Sequence, residues 1–184
     1  MPCGAFVGSA QGASPLQSEL IKTGLYSISG SGGTALLRLT ANGLILVDGQ
    51  LPGASDDVLV QVRRISDQPV RILITADSRG QANIPKFVSG GAKIIGQEDA
   101  DTHGDKLQLG GVEAHLLHVG KAGNTVVYFP NLRVLAVGSL LTQAAAIERA
   151  AAIADILKLD FDIAVPSSGQ TLLRSDLEAM GRKR

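Results

Sequence analysis

Histidine is the commonest metal ligand in proteins and the usual general base near neutral pH, and this chain of 184 residues has three of them. His115 and His118 lie in the run "VEAHLLHVG", whose pattern is typical of a β-strand. Side chains three positions apart on a strand point to opposite faces, so this pair cannot share one metal ion. We interpret His118 as a hydrogen-bonded or surface histidine.

The third histidine, His103, lies in the polar run "EDADTHGDK" between predicted elements. Four carboxylates surround it and offer the oxygen ligands that a hard cation prefers; they belong to Glu98, Asp99, Asp101 and Asp105. A run of this composition is also typical of a solvated acidic loop. We favour the solvated loop.

Short strands are predicted on both sides of these histidines. The flanking Gly, Ser and Asn-Gly pairs are typical of turns. The run "VRILIT" is apolar throughout, as expected of a strand covered on both faces. The predicted strands lie in "LIKTGLYSISG", "TALLRLT", "LILVDG", "VRILIT", "KIIGQ", "KLQLGGVEAHLLHVG", "TVVYFP", "RVLAVGS" and "FDIAVPS".

Helices are predicted between the strands. Ser55 is expected to cap the first one, because acidic residues follow it in the first turn and apolar residues recur at helical spacing. A helical segment over Ala82–Val88 and an Ala-rich helix over Gln143–Leu157 follow. Ser175 is predicted to cap the last helix and Glu178 to complete a capping box.

Strands and helices alternate in two similar halves without a linker, which predicts one α+β or α/β domain over residues 19–184. Two sheets packed face to face with helices outside is the expected arrangement, although a single doubly wound sheet also fits the pattern. Residues 1–18 are interpreted as a flexible tail or the remnant of a signal peptide. Localisation therefore stays open between export to the periplasm and the cytoplasm.

Composition excludes several classes of protein. Hydrophobic residues make up 45% of the chain and charged residues 18%, which is typical of a globular domain. Seventeen basic residues balance seventeen acidic ones without a basic cluster, so nucleic acid is not an expected partner. Cys3 is the only cysteine, which excludes a thiolate zinc cluster. No apolar run approaches the roughly 20 residues that span a bilayer.

The ordered set of these runs closely resembles the metallo-β-lactamase superfamily. The resemblance covers about Leu20 to Leu177 and is carried by "GLYSISGSGGTALLRLTANGLILVDGQLPG", "VRILIT", "KFVSGGAKIIGQ", "LQLGGVEAHLLHVGKA", "NTVVYFPNLRVLAVGS" and "LDFDIAVPSSG". It implies a four-layered αβ/βα sandwich whose members are mostly hydrolases with one or two zinc ions at one edge of the sheets. Asp48 in "LVDG" matches an Asp that in the family usually lies behind the metal ligands.

The positions that the resemblance assigns to zinc ligands carry other residues. The family motif Thr-His-x-His-x-Asp-His aligns on Thr75, and no His or Asp stands at any of its ligand positions. A further family histidine is missing, because Ala122 runs directly into "GNTVVYFP". The former metal-site positions are Ala76, Ser78, Gly80, Gln81, Ser139 and Ser168.

Alanine and glycine have no donor atom, and serine and glutamine are weak neutral ligands. A catalytic zinc ion needs about three nitrogen, sulfur or carboxylate donors. We therefore expect no catalytic residue of the family type, no metal and no cofactor. The leading hypothesis is a non-catalytic protein that binds an unknown small molecule or protein.

A hydrolase acting without the family's zinc site is the alternative, with esters, lactones or β-lactams as substrates. Ser78, Ser139 and Ser168 would meet near the former pocket, where Asp77 and His118 are candidates for a residual polar site. A serine nucleophile needs an adjacent general base, and only His118 is placed to serve. No nucleophile-elbow pattern frames these serines.

A homodimer is the last expectation from the sequence. The helix "QAAAIERAAAIADILK" is apolar over a wide arc, which is typical of a helix buried on more than one side. A second copy would supply that burial across this helix or the neighbouring former metal edge.

Overall fold

The computed structural model describes residues 15–30, 32–48, 54–76, 84–96, 106–121 and 124–182. Within them the chain forms two six-stranded sheets, each with its strands in an order that follows the sequence. The first sheet consists of β1 (Gln17–Lys22), β2 (Leu25–Gly30), β3 (Gly33–Thr40), β4 (Gly43–Val47), β5 (Val70–Ile74) and β6 (Lys93–Ile95). The second consists of β7 (Lys106–Leu109), β8 (Val112–Val119), β9 (Asn124–Phe129), β10 (Val134–Gly138), β11 (Ile163–Pro166) and β12 (Leu172–Leu173).

Parallel pairs in each sheet are joined through helices, and the other neighbouring strands are antiparallel. In the first sheet β4, β5 and β6 are parallel, joined through α1 (Ser55–Ile65) and α2 (Ile84–Ser89). In the second sheet β10 and β11 are parallel, joined through α3 (Leu140–Gln143) and α4 (Ala146–Ile156). The last helix, α5 (Arg174–Arg182), follows β12.

Three apolar clusters divide the molecule into four layers. The central cluster lies between the sheets, and alternation assigns Ile45 and Val47 of β4 to it. Leu44 and Leu46 of the same strand face the opposite way, where α1 and α2 cover the first sheet. The third cluster packs α3, α4 and α5 against the second sheet. The expected α/β/β/α sandwich is confirmed, and the alternative of one doubly wound sheet is wrong.

Strand β5 corresponds to the predicted buried run. Ile72 and Ile74 face the other sheet, while Leu73 faces the helices. Both faces of this strand are therefore covered, which explains why the run has no polar alternation.

The chain enters the domain ahead of the predicted start at Glu19. Leu16 is buried under α1, and its carbonyl accepts a hydrogen bond from the Gln61 side chain at 2.7 Å. Strand β1 then begins at Gln17. Residues 1–14 lie outside the described part of the chain.

The two predicted helix caps are wrong. Ser55 is the first residue of α1, Ala54 occupies the cap position, and no side chain caps this end. Ser175 lies inside α5, because the helix begins directly after β12. At the start of α5, the Leu173 backbone amide donates a hydrogen bond to the Asp176 carboxylate at 2.8 Å. Glu178 instead accepts a hydrogen bond from Arg174.

The Ala-rich helix predicted over Gln143–Leu157 is observed as one shorter helix, α4, over Ala146–Ile156. Gln143 ends α3, Ala144 is extended, and α4 begins at Ala146. Leu140 of α3 is buried against the second sheet. None of the helices in the described segments is long and apolar enough to cross a membrane.

Candidate functional site

The carboxyl ends of β4 and β5 meet at one edge of the first sheet, as parallel neighbours must. Asp48 follows β4 in the left-handed conformation, with φ of 55°, and is buried. Its backbone amide donates to the Ile74 carbonyl at 2.9 Å, and its side-chain Oδ1 accepts from the Ala76 amide at 2.9 Å. The aspartate therefore fixes the backbone at the position where the resemblance places the first zinc ligand.

The second sheet reaches the same edge through β10. Gly138 ends this strand with φ of 53°, a conformation that favours glycine. A methyl group at Gly138 would lie 3.6 Å from the Ala76 carbonyl oxygen and 3.8 Å from Asp48 Oδ2. The ends of β4, β5 and β10 thus lie in contact across the two sheets.

Backbone hydrogen bonds extend this edge to β11. The Ser167 amide donates to the Gly138 carbonyl at 2.8 Å, and the Thr34 amide donates to the Ser167 carbonyl at 2.7 Å. The second bond joins the first sheet to the second without any side chain. No sequence pattern indicated it, because it links residues far apart in the chain through backbone atoms alone.

The predicted site positions that the structure describes lie along this edge. Ala76 is buried, and Ser139 and Ser168 are half-buried next to Gly138 and Ser167. The Ser139 carbonyl accepts hydrogen bonds from the backbone amides of Thr142 and Gln143, the last two residues of α3. Four further predicted positions, Asp77, Ser78, Gly80 and Gln81, lie outside the described residues.

The two strand histidines lie on opposite faces of β8, as alternation predicts. His118 shares its face with Ala114 and Leu116, which belong to the core between the sheets. It is exposed, and its Nδ1 lies 3.4 Å from the Thr125 hydroxyl. Register places it level with Gly138 with β9 between them, about 10 Å away by two strand spacings.

His115 lies on the other face and serves a local structural role. Its ring meets Tyr128 edge-on at 5.9 Å between ring centres. It also hydrogen-bonds Glu113 and, together with Gln108, holds the pKa of that carboxyl below its ordinary value. His103 lies outside the described residues.

The donors at this edge do not fit a zinc ion. Ala76 offers only backbone atoms, and Ser139 and Ser168 offer neutral hydroxyls, whereas zinc prefers nitrogen, thiolate or carboxylate ligands. Across the described segments, no three His, Cys, Asp or Glu side chains are gathered where they could hold a metal ion.

Similar folds occur among solved structures, although no protein-family model and no curated protein matches the chain. A metallo-β-lactamase from Pontibacter korlensis has a TM-score of 0.75 at 17% identity, covering 92% of this chain and 100% of its own. The chain has the metallo-β-lactamase fold. The metallo-β-lactamase FIM-1 from Pseudomonas aeruginosa, in its mono-zinc form, has a TM-score of 0.72 at 14% identity, covering 92% of this chain and 94% of its own. A metallo-β-lactamase from Hirschia baltica has a TM-score of 0.72 at 15% identity, covering 91% of this chain and 97% of its own.

Proposed function

We propose that this metallo-β-lactamase-fold chain is non-catalytic and serves as a binding or interaction module. One observation carries the proposal: Ala76, Ser139 and Ser168 stand at strand ends where the resemblance implies metal ligands. The backbone bonds that shape those strand ends are present nonetheless. A framework without donors supports a role in binding rather than hydrolysis.

The chemistry of water explains why the donors matter. Zinc lowers the pKa of bound water from roughly 15.7 to about 7, which supplies hydroxide as the nucleophile near neutral pH. Serine hydroxyls and a buried alanine do not hold the ion in place. The hydrolytic nucleophile of the fold's zinc enzymes is therefore not expected here.

A hydrolysis screen tests the proposal. Purified protein is assayed with ester, lactone and β-lactam substrates, each with added zinc and with a chelator. We expect no turnover above the uncatalysed rate in either condition. Turnover that survives the chelator and disappears in Ser139→Ala or Ser168→Ala would overturn the proposal in favour of a serine hydrolase, and zinc-dependent turnover would overturn it in favour of a metalloenzyme.

We also propose a two-fold homodimer through α4. This helix buries one face, with Ile153 and Ile156 in the core against the second sheet, while Ile147 is 78% exposed. Beside it, Ala150, Ala154 and Gly181 line a recess of about 300 Å³ between α4 and α5.

A two-fold contact between identical copies pairs the same surface patch of both, and this patch offers a projecting isoleucine beside a recess with small apolar residues, Glu178 and Arg182 in its lining. The small side chains also allow two helices to approach closely. These features support a second copy of the chain as the partner that covers α4.

A further inference from the structure

A groove of about 460 Å³ opens between the two sheets beside the former metal positions. We name it the hydroxyl groove. Its first wall is the inner face of β1, β2 and β3, and its second wall is β11 with the loop that follows it. This volume falls within the range of small-molecule sites, about 300–1,000 Å³. Its lining comprises Glu19, Leu20, Ile21, Ser27, Ser29, Thr34, Ile163, Val165, Gly169, Gln170 and Thr171.

The groove begins where the core between the sheets changes from apolar to polar. On β2 the inward face runs from Leu25 in the core to Ser27 and then Ser29. On β3 it runs from Leu36 in the core to Thr34. Hydroxyl side chains thus occupy the inward positions at the end of β2 and at the start of β3, where these two strands pair.

Two of these hydroxyl residues are buried and have no partner for their side chains. Ser27 is 5% exposed and Thr34 is 9% exposed. Neither side chain makes a hydrogen bond with any other residue of the chain as described. Their hydroxyl oxygens therefore reach the open groove, because Arg38 Nε is the only side-chain polar atom in the described residues that is both buried and without a partner.

Buried threonines elsewhere in the chain behave differently. The Thr40 hydroxyl donates to the Gly43 carbonyl at 2.8 Å, and the Thr75 hydroxyl donates to the Ile95 carbonyl at 3.4 Å. The Thr34 hydroxyl makes no such hydrogen bond within the described residues, and the Thr34 side chain lines the groove. Its hydroxyl is therefore available to a ligand.

We infer that the hydroxyl groove binds a small, neutral, hydroxyl-rich molecule such as a polyol or a monosaccharide. This inference rests on the proposed binding role and gives it a ligand class. Hydroxyl groups both donate and accept, which matches the hydroxyls of Ser27, Ser29, Thr34 and Thr171. No Lys or Arg lines the groove within the described segments, so an anion would find no countercharge. Val165 and its neighbours on the second wall give an apolar surface for the C–H face of a sugar ring.

Titration followed by amide NMR shifts tests the inference, with D-glucose, D-galactose and myo-inositol as neutral probes and inorganic phosphate as the anionic one. We expect at least one neutral probe to bind and to shift the amides of Ser27, Thr34 and Gly169, while phosphate does not. Thr34→Val should weaken binding about tenfold, the value of one good hydrogen bond. Its melting temperature should stay about level, because the hydroxyl that is removed makes no hydrogen bond within the described part of the chain.

Two further variants make the test decisive. Ser27→Ala should weaken binding in the same way and serves if Thr34→Val does not fold. Thr40→Val is the matched control: it removes a bonded hydroxyl away from the groove, so it should lower the melting temperature and leave binding unchanged.

Several results would overturn the inference. These are no shift with any neutral probe at millimolar concentration, preferential binding of phosphate, or binding that both groove variants leave intact. Such a failure would leave the non-catalytic proposal intact, because that proposal is tested separately by assays of zinc uptake and hydrolysis. Conversely, zinc-dependent hydrolysis would remove the non-catalytic proposal whatever the groove binds.

Discussion

The side chain of Asp48 accepts a hydrogen bond from the backbone amide of Ala76 at 2.9 Å, joining the carboxyl ends of β4 and β5. On its other side the carboxylate faces Gly138 at the end of β10. Three strand ends from both sheets are therefore organised around one buried acidic side chain. These protein contacts hold the three strand ends together.

Replacement of Asp48 tests this role. Asp48→Ala removes the acceptor of a buried amide and places an alanine in a left-handed conformation, so we expect a loss on the order of 2–4 kcal/mol in the free energy of unfolding. Asp48→Asn keeps an acceptor oxygen and tolerates this conformation, and should cost about 1 kcal/mol or less. Urea denaturation measures both. Equal stability of the two variants would show that the hydrogen bond does not hold the edge.

Local sequence patterns predicted the strands well because most are covered on two faces or alternate on one. The turn glycines carried equally direct information, since Gly110 and Gly111 between β7 and β8 both have positive φ. The helix starts were predicted less well. Ser55 and Ser175 have the chemistry of caps, but the neighbouring strands and loops decide where each helix begins.

The site could be predicted only in part for a similar reason. The alignment on Thr75 identified Ala76 as a former ligand position, but not the hydrogen bond that holds its amide. The hydroxyl groove was not predicted, because it depends on how far β2 and β3 lie from β11. The positions of two sheets relative to each other are set by packing, which the order of residues along one strand does not reveal.

Acid should weaken the link between the sheets at the end opposite the former metal edge. Lys22 of β1 donates to the Asp162 carboxylate at 2.7 Å and to the Leu132 carbonyl at 2.8 Å. The hydrogen bond from the Lys22 ammonium holds the pKa of Asp162 below its ordinary value of 3.8. A carboxyl with a lowered pKa contributes stability above its ordinary pKa, and this contribution is lost as the pH falls through the lower folded value.

Asp162→Asn should therefore be less stable than the wild type at neutral pH and approach it as the pH falls below 3.8, through the lowered pKa of the folded state. Thermal unfolding over this pH range measures the difference. Asp160→Asn is the matched control, since Asp160 contacts Arg133 but has no bond to Lys22. A difference between wild type and Asp162→Asn that stays constant with pH would contradict the linkage.

Chelation should leave thermal stability unchanged. The run from Ala76 to Gln81 carries small or neutral residues at the positions that the resemblance assigns to metal ligands, and Asp48 holds the adjoining strand end. We expect the same melting temperature with and without EDTA. A clear fall on chelation would mean that a metal ion contributes to folding.

A charged side chain introduced on the exposed face of α4 should prevent the proposed dimer from forming. Ala154 is exposed on this helix and lines the recess beside α5, so Ala154→Glu should give a folded monomer from a dimeric parent. Val60→Glu introduces the same charge at a side chain 46% exposed on α1, in the opposite helical layer, and should stay dimeric. Light scattering at tens of micromolar reports the mass of each. A monomeric wild type would rule out the proposed contact.

Zinc content after loading tests whether the strand ends of this chain hold a metal ion. The purified chain and FIM-1, whose mono-zinc form resembles it in fold, are incubated with excess zinc, desalted in the same way and analysed for metal. We expect background zinc in this chain beside bound zinc in FIM-1, because alanine and serine stand at the strand ends where the resemblance implies metal ligands. Retention of about one or two zinc ions per chain, as zinc enzymes of this fold hold them, would contradict this expectation.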